Sequence, residues 1–388
     1  MTGTAMKSTL GDTASHRLHA QLIGQPGSRD RLNTPALILD IDAFDSNIAR
    51  MAVFAGKHGL ALRPHAKSHK SADIARAQRA RGAVGQCCAK LGEAEALAAE
   101  GIDGLHLTSP VITAPAIARL AALLRRVTSI SVVADHPDAV DALAIAAQGG
   151  PPLTVFVDID PGIHRTGVAS PEAAVALARR IAGHAALHYG GVQFYCGAQQ
   201  HIQRFTERRD AIIERTGYLS NCLGQLADAG LSPAVVTGGG TGSHVIDAEL
   251  GVLTELQVGS YIFMDREYSE CALDGGDVTP FQTSLMVDAR VISTNAKGLV
   301  TIDAGLKAFA TDAGPATIIA GAGNDARYRF MGDEHGAITG TDLPDLGARV
   351  TLGTPHCDPT VNLYDAYHVV RGDILVAIWP VTARGRST

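Results

Sequence analysis

Eight short apolar runs, each followed by a stretch of helical character, constrain this chain more than any other feature. They cover residues 60–64, 84–88, 104–108, 130–134, 154–159, 190–195, 234–238 and 256–259. Runs of this length bounded by turn residues read as strands buried on both faces. Alternation with helices builds βαβ units and a parallel sheet. Eight such units suit an α/β architecture, a closed (β/α)8 barrel of TIM type over residues 45–280. The structural alternative is a doubly wound open sheet, but no G-x-G-x-x-G follows the first strand as a dinucleotide site would need.

Beyond residue 280 the rhythm changes. Residues 284–293, 298–302, 349–352, 366–371 and 374–379 are strand-like, with turns such as Asn295-Ala296-Lys297-Gly298 between them and no long helical pattern. This predicts a C-terminal β domain over 281–388. Near the other end, Thr34-Pro35-Ala36-Leu37-Ile38-Leu39-Asp40 is a short strand with proline at its start, where a missing donor does least harm. Asp42 then caps a helix whose apolar positions are Phe44, Ile48 and Met51. Residues 1–33 are polar and contain Gly and Ser without a hydrophobic core segment, which predicts a flexible leader and no signal peptide.

Composition narrows the function classes. A net charge of −6 argues against a nucleic-acid partner, and no apolar run reaches the length of a membrane span. The six cysteines show no disulfide-framework spacing and no CxxC pair, which in a chain of 388 residues predicts reduced thiols and a cytoplasmic address.

Chemistry concentrates where the barrel strands end. Arg63-Pro64-His65-Ala66-Lys67-Ser68-His69-Lys70 follows the first barrel strand. A lysine there occupies the end of the barrel that carries reactive groups. It forms Schiff bases with carbonyl cofactors once burial or neighbouring cations lower its pKa. Arg63, His65, His69 and Lys70 crowd it with such groups. The competing reading is a basic strand end that binds an anion. Gly238-Gly239-Gly240-Thr241-Gly242-Ser243 ends the seventh strand, where barrels often hold phosphate. Its N–H groups and hydroxyls suit a phosphate cradle, and a flexible turn is the alternative. Arg165, after the fifth strand, has a guanidinium suited to a carboxylate or phenolate. Thr354-Pro355-His356-Cys357-Asp358-Pro359-Thr360 reads as extended, so His356 and Asp358 share a face. That pair makes a two-ligand platform for a divalent ion of intermediate hardness, Mn²⁺, Mg²⁺, Co²⁺ or Zn²⁺. The same residues also suit a turn stabilised by Asp358 before proline.

The octapeptide around Lys67 resembles the pyridoxal-phosphate (PLP) lysine motif of the D-threonine aldolase and D-serine dehydratase family, within the alanine-racemase-like enzymes. The resemblance rests on four separated motifs, the octapeptide and residues 238–243, 256–265 and 356–362, and runs over about 34–384. It implies a PLP-binding barrel and a C-terminal β domain that recruits residues 34–44. By the same resemblance Lys67 is the Schiff-base lysine and Lys70 only its neighbour. Gly239, Gly240, Thr241, Gly242 and Ser243 would hold the cofactor phosphate, with Gln257 and Tyr261 as further cofactor contacts. Arg165 would meet the cofactor phenolate or the substrate carboxylate, and Tyr195 would stack on the ring. His201 matches a histidine near the substrate, and Cys196 departs from the family pattern. His356 and Asp358 resemble the metal pair of the aldolase branch, with Mn²⁺ the foremost ion; the dehydratase branch places cysteine two residues after the histidine. Asp333 would lie near that metal.

The implied activity is PLP- and metal-dependent cleavage of a D-β-hydroxy-α-amino acid, of D-threonine or D-3-hydroxyaspartate type, to glycine and an aldehyde. The alternative is dehydration of such a substrate or of D-serine, and a non-catalytic PLP-binding protein is the remote third reading. Like the fold class it resembles, the chain is expected to act as a homodimer on a small molecule, with no nucleic acid and no membrane.

Overall fold

Strand β1 (Ala36–Asp40) leads directly into a helix, Ile41–Lys57, yet belongs to a different sheet from the eight strands that follow it. The computed structural model describes residues 13–276 and 279–388. The cap of the first long helix is Asp40: its Oδ1 accepts from the N–H groups of Asp42 and Ala43, both at 3.0 Å. Asp42 lies two residues too late and sits in the first turn. Phe44, Ile48, Met51 and Ala55 form the buried face of that helix, as their spacing predicts.

The barrel strands are β2 (Ala61–Leu62), β3 (Gln86–Cys88), β4 (Leu105–Leu107), β5 (Ile130–Ala134), β6 (Leu153–Asp158), β7 (Leu187–Phe194), β8 (Val235–Gly238) and β9 (Glu255–Leu256). They run parallel in the order β2-β9-β8-β7-β6-β5-β4-β3. A parallel bridge between His65 and Cys87 joins the two ends, with Val84 N–H bonded to Leu62 O and Cys87 N–H to Pro64 O. The closed parallel barrel expected from the eight runs is what the chain builds. Its interior is polar at the end that matters. His106 meets Gln193 Oε1 at 3.2 Å, Gln257 donates to Gln193 Oε1 at 3.2 Å and to Thr237 Oγ1 at 3.0 Å, and Thr237 donates to Glu255 at 2.8 Å. Buried polar groups are tolerable only when satisfied in this way, and a satisfied network holds its members rigidly.

The second sheet contains β10 (Leu285–Ser293), β11 (Leu299–Ile302), β12 (Thr317–Ala320), β13 (Arg327–Phe330), β14 (Gly336–Thr339), β15 (Arg349–Gly353), β16 (Ala366–Arg371) and β17 (Ile374–Pro380). β1 completes it, antiparallel to β10 and parallel to β16. Strands β12, β13 and β14 are absent from the sequence-based expectation. Each has four residues, and Tyr328 is the one buried side chain of β13, so neither length nor alternation marks them. All six cysteines are unpaired and buried, and no helix among the described residues is long and apolar enough to cross a membrane.

Residues 1–12 of the expected leader lie outside the described residues. Residues 13–33 are structured, contrary to the expectation of a flexible segment. They form the helix Ala14–His19 and the short helical turns Ala20–Leu22 and Ser28–Arg31. Leu22 and Leu32 enter an apolar cluster with Ile38, Met286, Val370, Leu375 and Ile378. Arg29 Nε donates to Asp288 Oδ2 at 2.8 Å, and the Asp288 side chain is 1% exposed. The isolated apolar residues of a polar segment carried too weak a signal to reveal this docking.

Removing one partner of a buried ion pair leaves a charge uncompensated. Asp288 would retain the Thr351 hydroxyl at 2.6 Å and Arg349 at 3.9 Å. Arg29→Ala is therefore expected to lower unfolding free energy by about 3 kcal/mol in urea titrations; an unchanged midpoint would refute the anchoring role.

Candidate active site

Two segments from different domains meet at the mouth of the barrel. Pro64 follows β2 and starts the exit from the strand; His65 then caps a single helical turn, Ala66–Ser68, by accepting from Lys67 N–H at 3.3 Å. The turn points Lys67 toward the β domain, where its Nζ donates to Asp358 Oδ2 at 2.6 Å. Asp358 lies in the first turn of a short helix, Cys357–Val361, with His356 as its preceding residue. The extended conformation expected for 356–358 is thus replaced by a helix start. His356 and Asp358 remain close enough for each to shift the other's pKa.

The expected crowd of cations around Lys67 is dispersed. Arg63 is bonded to Glu255 at 3.0 Å, and Lys70, buried, is paired with Glu93. Burial pushes the pKa of His65 and His69 down, the latter to about 4, so both are neutral at pH 7. The charge that dominates at Lys67 is negative: Asp358 raises the lysine pKa against the opposing effect of burial. Burial would raise the Asp358 carboxyl, but the charge and hydrogen bond of Lys67, together with His356 and Cys357, outweigh it and bring the pKa to about 2. The lysine is therefore protonated in this state, and the sequence-based expectation of a lowered pKa is reversed.

A cavity of about 350 Å³ opens beside Lys67, at the carboxyl ends of the barrel strands. Arg165, Tyr195, Gly240, Thr241 and Gln257 line it together with Lys67. The Arg165 guanidinium lies 5.8 Å from the centre of the Tyr195 ring. The lining residues that sequence reasoning missed include Thr108, which contacts His65 Nε2 at 3.2 Å, and Ile163, Gln193 and Tyr268. Thr108 and Gln193 sit at strand ends, which was the available signal.

Other expected site residues lie elsewhere. The Ser243 hydroxyl donates to Asp247 Oδ2 at 2.6 Å and accepts from Gly240 N–H at 3.1 Å, turned away from the cavity. The Gly242 N–H is bonded to Gln200 Oε1 at 2.9 Å. Gly239 has φ +68°, and a Cβ there would stand 2.5 Å from Asp247 Oδ2, so glycine is required for the close approach. The cradle is narrower than expected: Gly240 and Thr241 face the cavity, whereas Gly239, Gly242 and Ser243 brace the loop from behind. Tyr261 is buried in the core, its hydroxyl accepting from Gln78 at 3.2 Å, while its N–H bonds Thr241 Oγ1 at 3.0 Å. His201 is exposed and packs on Tyr268 with ring centres 4.5 Å apart, outside the cavity lining. Cys196 lines a separate gap with Asp247 and Leu219. Asp333 is on the hairpin between β13 and β14, exposed, with Lys307 at 3.9 Å.

Two carboxylates around the His356 turn were not anticipated. Asp312 Oδ2 bonds His356 Nδ1 at 2.7 Å, and Asp265 Oδ2 accepts from Cys357 N–H at 2.9 Å. The donor chemistry fits both implied groups. For PLP there is a primary amine, a glycine–threonine loop for phosphate, and a guanidinium over an aromatic ring. For a divalent ion there is an ionised carboxylate and an imidazole whose Nδ1 is occupied, leaving Nε2. Among the described residues no three His, Cys, Asp or Glu side chains form a cage, so an ion here would take its remaining positions from water or substrate.

A parallel barrel with a lysine at its mouth, joined to a β domain that also takes the strand preceding the barrel, defines the alanine-racemase-like class, the fold-type III PLP-dependent enzymes. The family model described as alanine racemase, N-terminal domain, matches residues 39–267, and that described as putative serine dehydratase domain matches 284–370. The D-threonine aldolase of Arthrobacter sp. is 39% identical over 368 residues, covering 94% of this chain and 96% of that protein. The 3-hydroxy-D-aspartate aldolase of Paracoccus denitrificans (strain Pd 1222) is 36% identical, over 97% of this chain and 98% of that protein. The D-threo-3-hydroxyaspartate dehydratase of Delftia sp. (strain HT23) is 31% identical over 90% of this chain and 97% of that protein. The crystal structure of D-threonine aldolase from Filomicrobium marinum superposes with a TM-score of 0.89 at 37% identity, over 92% of this chain and 98% of that one. The chain belongs to the D-threonine aldolase and 3-hydroxy-D-aspartate aldolase family.

The gap behind the glycine loop has a pH signature. Burial raises the Asp247 carboxyl to about 7, against the opposing hydrogen bond from Ser243. The protonated acid therefore suits the fold, and this contribution to stability is lost as pH rises from the ordinary carboxyl range to about 7. Asp247→Asn should be increasingly more stable than the unmodified protein across that interval, by up to about 4 kcal/mol. Urea unfolding of both at pH 5 and pH 8 checks it; a pH-independent difference would contradict the assignment.

Proposed function

We propose that this chain is a PLP- and divalent-metal-dependent lyase that cleaves D-β-hydroxy-α-amino acids to glycine and an aldehyde. One observation carries the reading: the Lys67 amine and the Asp358 carboxylate, 2.6 Å apart, bring carbonyl chemistry and a metal donor to one point. PLP held on Lys67 would supply the electron sink at Cα, and a divalent ion held by His356 and Asp358 would supply Lewis acidity toward the β-hydroxyl. Gly240 and Thr241 would hold the phosphate, with Tyr195 against the ring. The Arg165 guanidinium would bind the substrate carboxylate or the cofactor phenolate. A base then takes the proton from the β-hydroxyl oxygen as the Cα–Cβ bond breaks. His201, which packs on the lining residue Tyr268, is the protein side chain proposed for it, and serving as base requires its imidazole to turn inward from its exposed position. Asp358 supports cleavage over the dehydratase reading, because the dehydratase branch resembles this motif with cysteine in that position. The active unit is proposed to be a homodimer, checked by sedimentation.

Incubation with D-threonine, D-serine and D-3-hydroxyaspartate, with and without Mn²⁺, should yield glycine and an aldehyde from a β-hydroxy substrate only with metal. Ammonia and a keto acid without glycine would sink the aldolase reading and select the dehydratase. Lys67→Ala should abolish the pyridoxyl label that borohydride fixes on the protein. His201→Gln should lower kcat by about 10²-fold with KM little changed; a loss below threefold would remove His201 from the base role.

A further inference from the structure

The segment carrying Asp312 is held from both sides, and both clamps come from elements that build the site. On one side the Thr360 hydroxyl donates to His356 O at 2.7 Å and accepts from Ala310 N–H at 3.0 Å. One side chain thus ties the helix behind His356 to the approach to Asp312. On the other side Arg266, whose N–H bonds Thr354 O at 3.1 Å, sends its guanidinium to Pro315 O at 3.1 Å and to Ala313 O. Gly314, at φ +82°, supplies the left-handed turn between those two carbonyls. Asp312 emerges from this clamped loop with its carboxylate on His356 Nδ1 at 2.7 Å.

Such an arrangement exceeds what an exposed ion pair needs. The Asp312 side chain is 57% exposed and that of His356 27%. Pairs of this exposure add little to stability and do not by themselves hold a loop. Geometry of this kind has a different use. A carboxylate on one imidazole nitrogen fixes the proton there, locks the ring orientation and directs the other nitrogen as a ligand.

We infer that Asp312 is a positioning residue for the metal-binding side chain His356: it fixes the Nδ1–H tautomer and presents Nε2 to the divalent ion. The inference rests on the metal reading proposed above. Arg266 and Thr360 are the residues that hold Asp312 in register.

The test measures Mn²⁺ affinity of the PLP-loaded protein by calorimetry and by the electron paramagnetic resonance of free Mn²⁺, apart from turnover. Asp312→Ala should weaken Mn²⁺ binding by roughly 10–100-fold. The melting temperature of the metal-free protein should move by less than about 2 °C, as expected for an exposed pair. Asp312→Asn keeps an oxygen that accepts the Nδ1–H and should recover part of the loss. Binding within twofold of the unmodified protein in Asp312→Ala would overturn the inference, as would a large fall in melting temperature accompanying the loss. No Mn²⁺ binding by the unmodified protein would instead overturn the metal reading beneath it.

Discussion

The fold converges on the ion pair between Lys67 and Asp358. Neither residue's own domain supplies its partner: the lysine comes from a turn after β2, the aspartate from a helix start between β15 and β16. Asp358 is largely withdrawn from water, and leaving its carboxylate without the half-exposed Lys67 ammonium would be unfavourable, so the pair favours docking of the two domains in one register. The surrounding contacts hold that register. Tyr367 OH donates to His69 O at 2.6 Å, Ala383 N–H bonds Lys70 O at 2.8 Å, and the Thr382 hydroxyl accepts from Ala72 N–H at 3.1 Å. All three act on the loop that carries the lysine. The cation that stands on Asp358 is the Lys67 ammonium, supplied from the other domain.

The architecture was legible because it is written in periodicity. Eight apolar runs with helices between them admit few solutions, and each run falls on an observed barrel strand. Local charge was a poorer guide. In sequence, Arg63, His65, His69 and Lys70 form a basic cluster; in space, two are neutralised by Glu255 and Glu93 and two are buried as neutral imidazoles. Glu255 lies 192 residues from Arg63, beyond the reach of any local pattern.

The same distinction separates the site residues found from those missed. Lys67, Arg165 and Thr241 were visible because they follow strands or occupy a glycine-rich loop. Asp312 has no motif of its own and acquires significance only when the Thr360 and Arg266 contacts fold its loop back on His356. Ser243 and Tyr261 show the reverse case: their positions match a phosphate site, but their side chains turn toward Asp247 and Gln78. Spacing identifies which backbone approaches a ligand, whereas the direction of a side chain depends on partners remote in sequence.

Placing β1 in the second sheet has a consequence for synthesis. Its core residues Leu37, Ile38 and Leu39 are fully buried, against β10 on one edge and β16 on the other. Those partners lie some 250 and 330 residues downstream. At ribosomal rates of roughly 5–20 residues per second, a nascent apolar strand stays unpaired for tens of seconds while the whole barrel is made. A solvent-exposed strand edge of this kind is a template for wrong pairing. The barrel can close early, but β1 must be shielded through that interval, by chaperones or by transient contacts of its own. Yield in the cell should therefore depend more on this five-residue segment than its share of the finished structure indicates.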